Sequence, residues 1–252
     1  MPQNWVETER LRPESPFLSW KPRSLKVMPH PPQSIEIEAK KGSSQSVLLF
    51  PVSWKTYDSL FNDLLDKSAI RLTYAQGCLE ITMTLSPVHE EYSSLIHDLI
   101  VILSDELDIE IRSLGSTTLR REDIERGLEP DNTYYIQHDA LVRNREDRMK
   151  LDLMKLPPPD LVVEIDITHH SIEKLPIYLA LGVPEVWRYN GKHLQIYQLR
   201  QEQYVLCEGS PTFAQLPIQT IIPQLIEHSF KRGNRAVRRA FREWVNSMVK
   251  KV

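Results

Sequence analysis

The sequence predicts a mixed α/β fold, with one sheet flanked by helices, an N-terminal hairpin before it and a helical extension after it. Three stretches carry that expectation. "LVVEIDI" within residues 157–170 is a β-branched apolar run of strand length. Tyr92, Leu95, Ile96, Leu99, Ile100, Leu103 and Leu107 recur at helical spacing and mark a long amphipathic helix. "SIEKLPIYLALGVPEVWRY" reads as a short helix ending near Gly182, then the strand "EVWRY".

In chain order, residues 1–45 are rich in Pro, Ser, Lys and Glu without sustained periodicity and are expected to form an irregular arm. The main domain is expected over residues 46–228, and residues 229–252 as a basic amphipathic helix. Trp54, Tyr57, Leu60, Phe61, Leu64 and Leu65 predict a helix with Ser53 as its N-cap. Alternation on both sides of Ala75-Gln76-Gly77 predicts a hairpin. Ser86 and Pro87 suit the first turn of the long helix, where His89, Glu90 and Glu91 also fall. "IEIRSLGSTTLRRED" predicts a short strand and then a polar, basic loop, and Pro130 marks the entry to a strand holding Tyr134, Tyr135 and Ile136. "GKHLQIYQLRQEQYVLCE" predicts a last hairpin. The sequence contains no internal repeat.

The run at 160–167 raises a chemical question. Side chains two apart share a strand face, so Asp160, Val162, Glu164 and Asp166 line one side and Leu161, Val163, Ile165 and Ile167 the other. An unpaired buried carboxylate is costly and is relieved by protonation, a cation or a metal. Two readings follow: a wet or salt-bridged strand face, or a site for a hard divalent cation such as magnesium, which takes carboxylate oxygens.

Composition narrows the function classes. With 252 residues and 41% hydrophobic content the chain can bury a sizeable core. A formal charge of −3 leaves no global basic field, so any nucleic-acid surface must be local. Cys78 and Cys207 are too few for a zinc cluster or a disulfide scaffold and fit a reducing, cytoplasmic setting. The N-terminal stretch has charges where a signal peptide needs an apolar core, and no apolar run reaches membrane-spanning length. G-x-S-x-G, H-E-x-x-H and a phosphate-cradling glycine loop are absent, which removes support for an unrelated hydrolase.

The segments "SPVHEEY", "LGSTTLRRED", "RGLEPD", "PPPDLVVEIDIT" and "YLALGVPEVWRY", spread over roughly residues 46–205, together resemble a bacterial restriction-endonuclease family of the PD-(D/E)XK nuclease superfamily. The resemblance implies a restriction-endonuclease-like fold whose acids surround magnesium or manganese. Carried onto this chain, Asp131 matches the Asp ligand, Glu164 the Glu ligand, and Glu90 or Glu91 an additional ligand from the helix. Family pattern points to Glu90 and core periodicity to Glu91. One departure stands out. The lysine two places after the Glu of E-x-K is replaced by Asp166, leaving two options: Lys174 supplies the cation from the next helix, or Asp166 is a further ligand. His169 and His170 read as loop histidines.

The expected function is therefore a magnesium-dependent endonuclease hydrolysing DNA, and the competing one a catalytically inactive nuclease-fold module that binds DNA or serves structure. Arg120 and Arg121 are candidates for phosphate contact or for a solvated loop. Arg235, Arg238, Arg239 and Arg242 of the C-terminal helix are candidates for DNA contact, while Val237, Phe241, Trp244, Val245 and Met248 give that helix an apolar side to dock. Symmetry reasoning for duplex cutting adds a homodimer.

Overall fold

The computed structural model describes residues 36–40, 45–64, 70–83, 86–148, 151–167, 171–213 and 216–249. Strands β1 (Glu36–Lys40) and β2 (Gln45–Phe50) pair antiparallel. β1 falls inside the segment expected to be irregular, because the alternation of Ile37 and Ala39 with charged residues is too short to stand out from the Pro- and Ser-rich sequence before it, and an edge strand tolerates charge. The rest of the expected arm lies outside the described residues. Helix α1 (Trp54–Leu64) begins as expected, with Ser53 Oγ accepting the Thr56 N–H at 3.2 Å. β3 (Ile70–Ala75) and β4 (Cys78–Met83) form the hairpin. Gln76 and Gly77, at φ 44° and 90°, supply the two left-handed positions that a tight two-residue turn needs.

Helix α2 (Pro87–Leu107) starts at Ser86, whose side chain accepts the His89 N–H, with Pro87 in the first turn. β5 (Arg112–Gly115) follows, then β6 (Leu119–Arg121), β7 (Arg126–Leu128), β8 (Asn132–Tyr135) and the short α3 (Asp139–Arg143). β6 and β7 replace the loop expected around "TTLRRED". Their arginines serve the fold: Arg120 pairs with Asp58 and lies 4.4 Å over the Phe61 ring, and Arg121 is buried against Asp123. Next come β9 (Leu161–Ile165), α4 (Leu175–Leu181), β10 (Glu185–Tyr189), β11 (Leu194–Arg200) and β12 (Gln203–Cys207). Helices α5 (Ile218–Arg232) and α6 (Asn234–Val249) end the chain.

The strands form two six-stranded sheets rather than one sheet with an appended hairpin. An antiparallel sheet runs β1-β2-β4-β3-β7-β6, and a mixed sheet runs β12-β11-β10-β9-β8-β5. β9 and β10 are parallel, joined across α4 as a β-α-β unit, and β8 runs antiparallel to β9. The alternation read from the sequence holds. Leu161, Val163 and Ile165 pack with α2, α5 and α6, whereas Val162 packs on the other face with Ile177, Tyr178 and Leu181 of α4 and with Leu119 and Leu128 of the antiparallel sheet. A strand buried on both faces explains the near-continuous apolar run.

α6 docks on its own domain. Val237, Phe241 and Val245 are buried, each worth about 1.5–3 kcal/mol relative to exposure. Arg238 reaches Asp98 at 2.8 Å and Arg242 reaches Glu106 at 3.3 Å, both on α2. Exposed pairs of this kind add only about 0–1 kcal/mol, so the apolar seam does most of the holding. Arg238 and Arg242 are thereby committed to α2. No described helix is long and apolar enough to cross a membrane.

Candidate active site

The β8–β9 register sets Asn132 against Val163, which puts Asp131 opposite Glu164 at adjoining strand ends. Pro130 leads the chain into β8 in an extended conformation. The Asp131 carboxylate is tied to the neighbouring strand, its Oδ2 accepting the Ile165 N–H at 2.7 Å. Oδ2 also lies 3.3 Å from His89 Nε2 of α2, and Oδ1 accepts from the Arg71 guanidinium of β3. Glu164 Oε2 accepts from Lys174 Nζ at 2.6 Å, and Oε1 accepts from the Tyr178 hydroxyl. Lys174 stands at the start of α4, with its side chain 15% exposed beside a Glu164 that is almost wholly buried. One turn later Tyr178 reaches the same carboxylate.

Electrostatics bind these groups into one unit. Burial alone would push the Asp131 carboxyl up, but His89, Arg71 and Lys174 outweigh it and hold the group far below the usual carboxylate range. Burial raises Glu164, with the Asp131 charge adding to the rise and Lys174 opposing it. Burial would lower Lys174, yet Glu164 and Asp131 hold it above its ordinary value, so it stays an ammonium ion. His89 behaves alike: burial is overcome by its contact with Asp131, and its value rises. Glu129, beside Pro130, is pushed up by burial, with Arg71 pulling the other way.

The segment entering α4 is anchored from the other sheet. Glu80 of β4, fully buried, accepts the Ser171 N–H at 2.8 Å and the Ile172 N–H at 3.2 Å. A carboxylate far away in sequence thus fixes the approach of the segment that carries Lys174.

The acids of the "DLVVEID" face separate into three sites. Asp160, at the opposite strand end, binds His138 Nδ1 at 2.6 Å and the N–H groups of Ile136 and His138, a purely local clasp. Glu164 meets Lys174. Asp166 pairs with Arg188 of β10, which also lies 3.7 Å from Glu173. On α2 the two candidate acids also differ. Both are exposed, but Glu90 lies 3.4 Å from His89 Nδ1 and shares a cleft with Asp131, whereas Glu91 lines neither this cleft nor the one beside Glu164. The residue of this turn that faces inward is His89. Thr168, His169 and His170 lie outside the described residues.

Sequence reasoning did not find Arg71, His89, Tyr178, Glu80 or Arg188. His89 had a signal, since "SPVHEEY" places it in the first turn of α2, and Tyr178 sits one turn beyond Lys174. Arg71 and Glu80 had none, lying in an ordinary hairpin.

Two clefts open on the carboxylate pair. One, of about 440 Å³, is lined by Asp131, Arg71, Glu90, Ser93, His97 and Ser116. The other, of about 330 Å³, is lined by Glu164, Lys174, Tyr178, Asp166 and Arg188. Among the described residues no three His, Cys, Asp or Glu side chains form a ready metal cluster. The donor set nevertheless fits a hard divalent cation, which takes carboxylate oxygens and completes its shell with waters and substrate phosphate.

A mixed sheet with helices on its faces, and an Asp and a Glu facing each other at adjoining strand ends, defines a restriction-endonuclease-like domain. The family model of Uma2, described as "putative restriction endonuclease", matches residues 54–230. The chain belongs to that family, and the family suggests a nuclease. A search of curated proteins found no match.

Proposed function

We propose that this chain is a divalent-metal-dependent endonuclease that hydrolyses DNA phosphodiester bonds at the Asp131–Glu164 pair, with magnesium or manganese as cofactor. The observation that carries this reading is the reach of Lys174 to Glu164, 2.6 Å from Nζ to Oε2. The cation missing from the E-x-K position, where Asp166 stands, is thereby returned to the same carboxylate from the next helix.

Asp131 and Glu164 would hold the metal, with Glu90 the nearest further carboxylate on α2. A divalent ion there supplies charge neutralisation at the phosphate and acidifies a water. The chain's own groups do the rest. Lys174, held as an ammonium ion, donates to the attacking water or to a non-bridging phosphate oxygen, and Tyr178 fixes the Glu164 carboxylate from its other oxygen. Arg71 neutralises Asp131 before substrate arrives and is placed to meet phosphate in the cleft it lines. Asp166 holds Arg188 at the mouth of the second cleft.

Cutting both strands of a duplex calls for two such sites, and a homodimer is the simplest way to supply them. We place the protein in the cytoplasm, with the DNA it would cut. The competing reading, an inactive DNA-binding module, draws on the same ion pairs, since Arg71 and Lys174 already satisfy both carboxylates. Nicking of supercoiled plasmid by purified protein with magnesium, manganese or chelator separates the two. Metal-dependent nicking that vanishes in Glu164→Ala supports the enzyme. Absence of nicking with either metal, or equal nicking by Glu164→Ala, overturns it.

A further inference from the structure

The corner between α5 and α6 carries exposed cations, one of which the fold does not explain. Lys231 and Arg232 close the last turn of α5, where positive charge complements the helix dipole. Arg235 is different. It stands in the first turn of α6, the end at which a cation is disfavoured, and no acid accompanies it there. Lys231 is tied to Glu227 at 2.9 Å, Arg238 to Asp98, and Arg239 to Glu243 at 2.9 Å. Among the described residues, no ion pair is found for Arg232 or Arg235, and both are exposed.

An aromatic residue projects from the same corner. Phe230 is 58% exposed and meets the Tyr92 ring edge-on at 6.1 Å, and Tyr92 in turn meets Tyr189 at 5.2 Å. Tyr189 is joined to the site, because its carbonyl accepts the Asp166 N–H at 2.8 Å. Tyr92 itself lies one turn along α2 from His89, which contacts Asp131. Ring contacts therefore link buried Tyr189, beside β9, through Tyr92 to the exposed Phe230, which precedes Arg232 by two residues and Arg235 by five.

We infer that the α5–α6 corner is a DNA-binding surface continuous with the active site, in which Arg232 and Arg235 contact backbone phosphates and Phe230 stacks against a base. The inference rests on the nuclease reading for its choice of partner and adds where the strand beyond the cleft is held. Arginine forks suit phosphate oxygens, and an exposed ring accepts any base without sequence preference. Arg238 and Arg242 are excluded from this role, since both are spent on α2.

The test is fluorescence anisotropy of labelled single-stranded and duplex DNA with the full-length protein, in calcium and again in chelator, across a salt series. Arg232→Gln/Arg235→Gln should weaken binding to both forms roughly ten-fold or more near physiological salt and reduce the slope of log affinity against log salt by about 1.8 for duplex. Phe230→Ala should cost about five-fold or more on single strands. All three changes are at exposed positions, and circular dichroism of each variant should match the wild type. Affinities and slopes unchanged in the variants, or no binding by the wild type in either condition, would overturn the inference. Because binding is read without cleavage, an inactive protein whose affinity still falls in these variants would refute the nuclease reading and keep the corner. A working nuclease with unaltered binding would do the reverse.

Discussion

The mixed sheet and the antiparallel sheet contribute to the same site by different means. The mixed sheet supplies the acids: Asp131 leading into β8 and Glu164 within β9 face each other because two neighbouring strands end there. The antiparallel sheet supplies what makes those acids tolerable. Arg71 neutralises Asp131, and Glu80 holds the segment that delivers Lys174 to Glu164. The acids are near neighbours in the sheet, but Arg71 is 60 residues from its partner and Glu80 is 91 from Ser171. The chemistry of the site is thus local to one sheet, and its charge balance and alignment belong to the contact between two.

Substitutions that break the mixed-sheet side should have the largest effects. Under the proposed mechanism Glu164→Gln and Asp131→Asn each remove a charge that would hold the metal, and each should lower plasmid nicking by about 10³-fold or more. Lys174→Met should fall by about 10²–10³-fold in turnover, the scale of losing one preorganised donor. On the antiparallel side, Arg71→Ala should cost about ten- to a hundred-fold, the worth of one charge-assisted bond. The remote anchor should cost least of these. Glu80→Gln keeps one acceptor oxygen of two, and steady-state cleavage should show kcat reduced by up to about ten-fold with KM little changed, because only the alignment of Lys174 suffers. A loss in Glu80→Gln as large as that in Lys174→Met would mean that the two sheets are not separable in this way.

The smallest effect lies at the far end of β9. His138 has its value raised chiefly by its bond to Asp160, with burial opposing. A raised histidine stabilises the fold fully below its unfolded value near 6.5, and the contribution fades as pH rises through the folded value. Thermal melts of the wild type should therefore lose a little stability over that rise, and His138→Asn should flatten the profile without changing cleavage.

The same division explains what the sequence made legible. The hairpin turn at Gln76-Gly77, the cap at Ser53 and the stop at Gly182 are set by neighbouring residues and emerged where expected. The alternation of β9 also held, with its two faces in two different cores. The second sheet was not legible beyond its β3–β4 hairpin, since β1, β6 and β7 are short and charged, and β7 joins the sheet through β3, far away in sequence. At the site, the strand pattern drew attention to Glu164 and the family resemblance to its pairing with Asp131, which the β8–β9 register sets opposite it. Glu90 could not be separated from Glu91 by spacing, because the choice depends on His89 turning inward to an acid on another element. Lys174 was a candidate by position, and its reach required the placement of α4 that Glu80 and Tyr178 enforce.

Isothermal titration of manganese into the purified protein, beside Asp131→Asn and Glu164→Gln, would probe the assembled acid pair itself. One site per chain in the wild type, lost in both variants while their melting profiles stay cooperative, is the predicted result. Manganese heats that are absent from the wild type, or unchanged in the two variants, would contradict a metal site at Asp131 and Glu164.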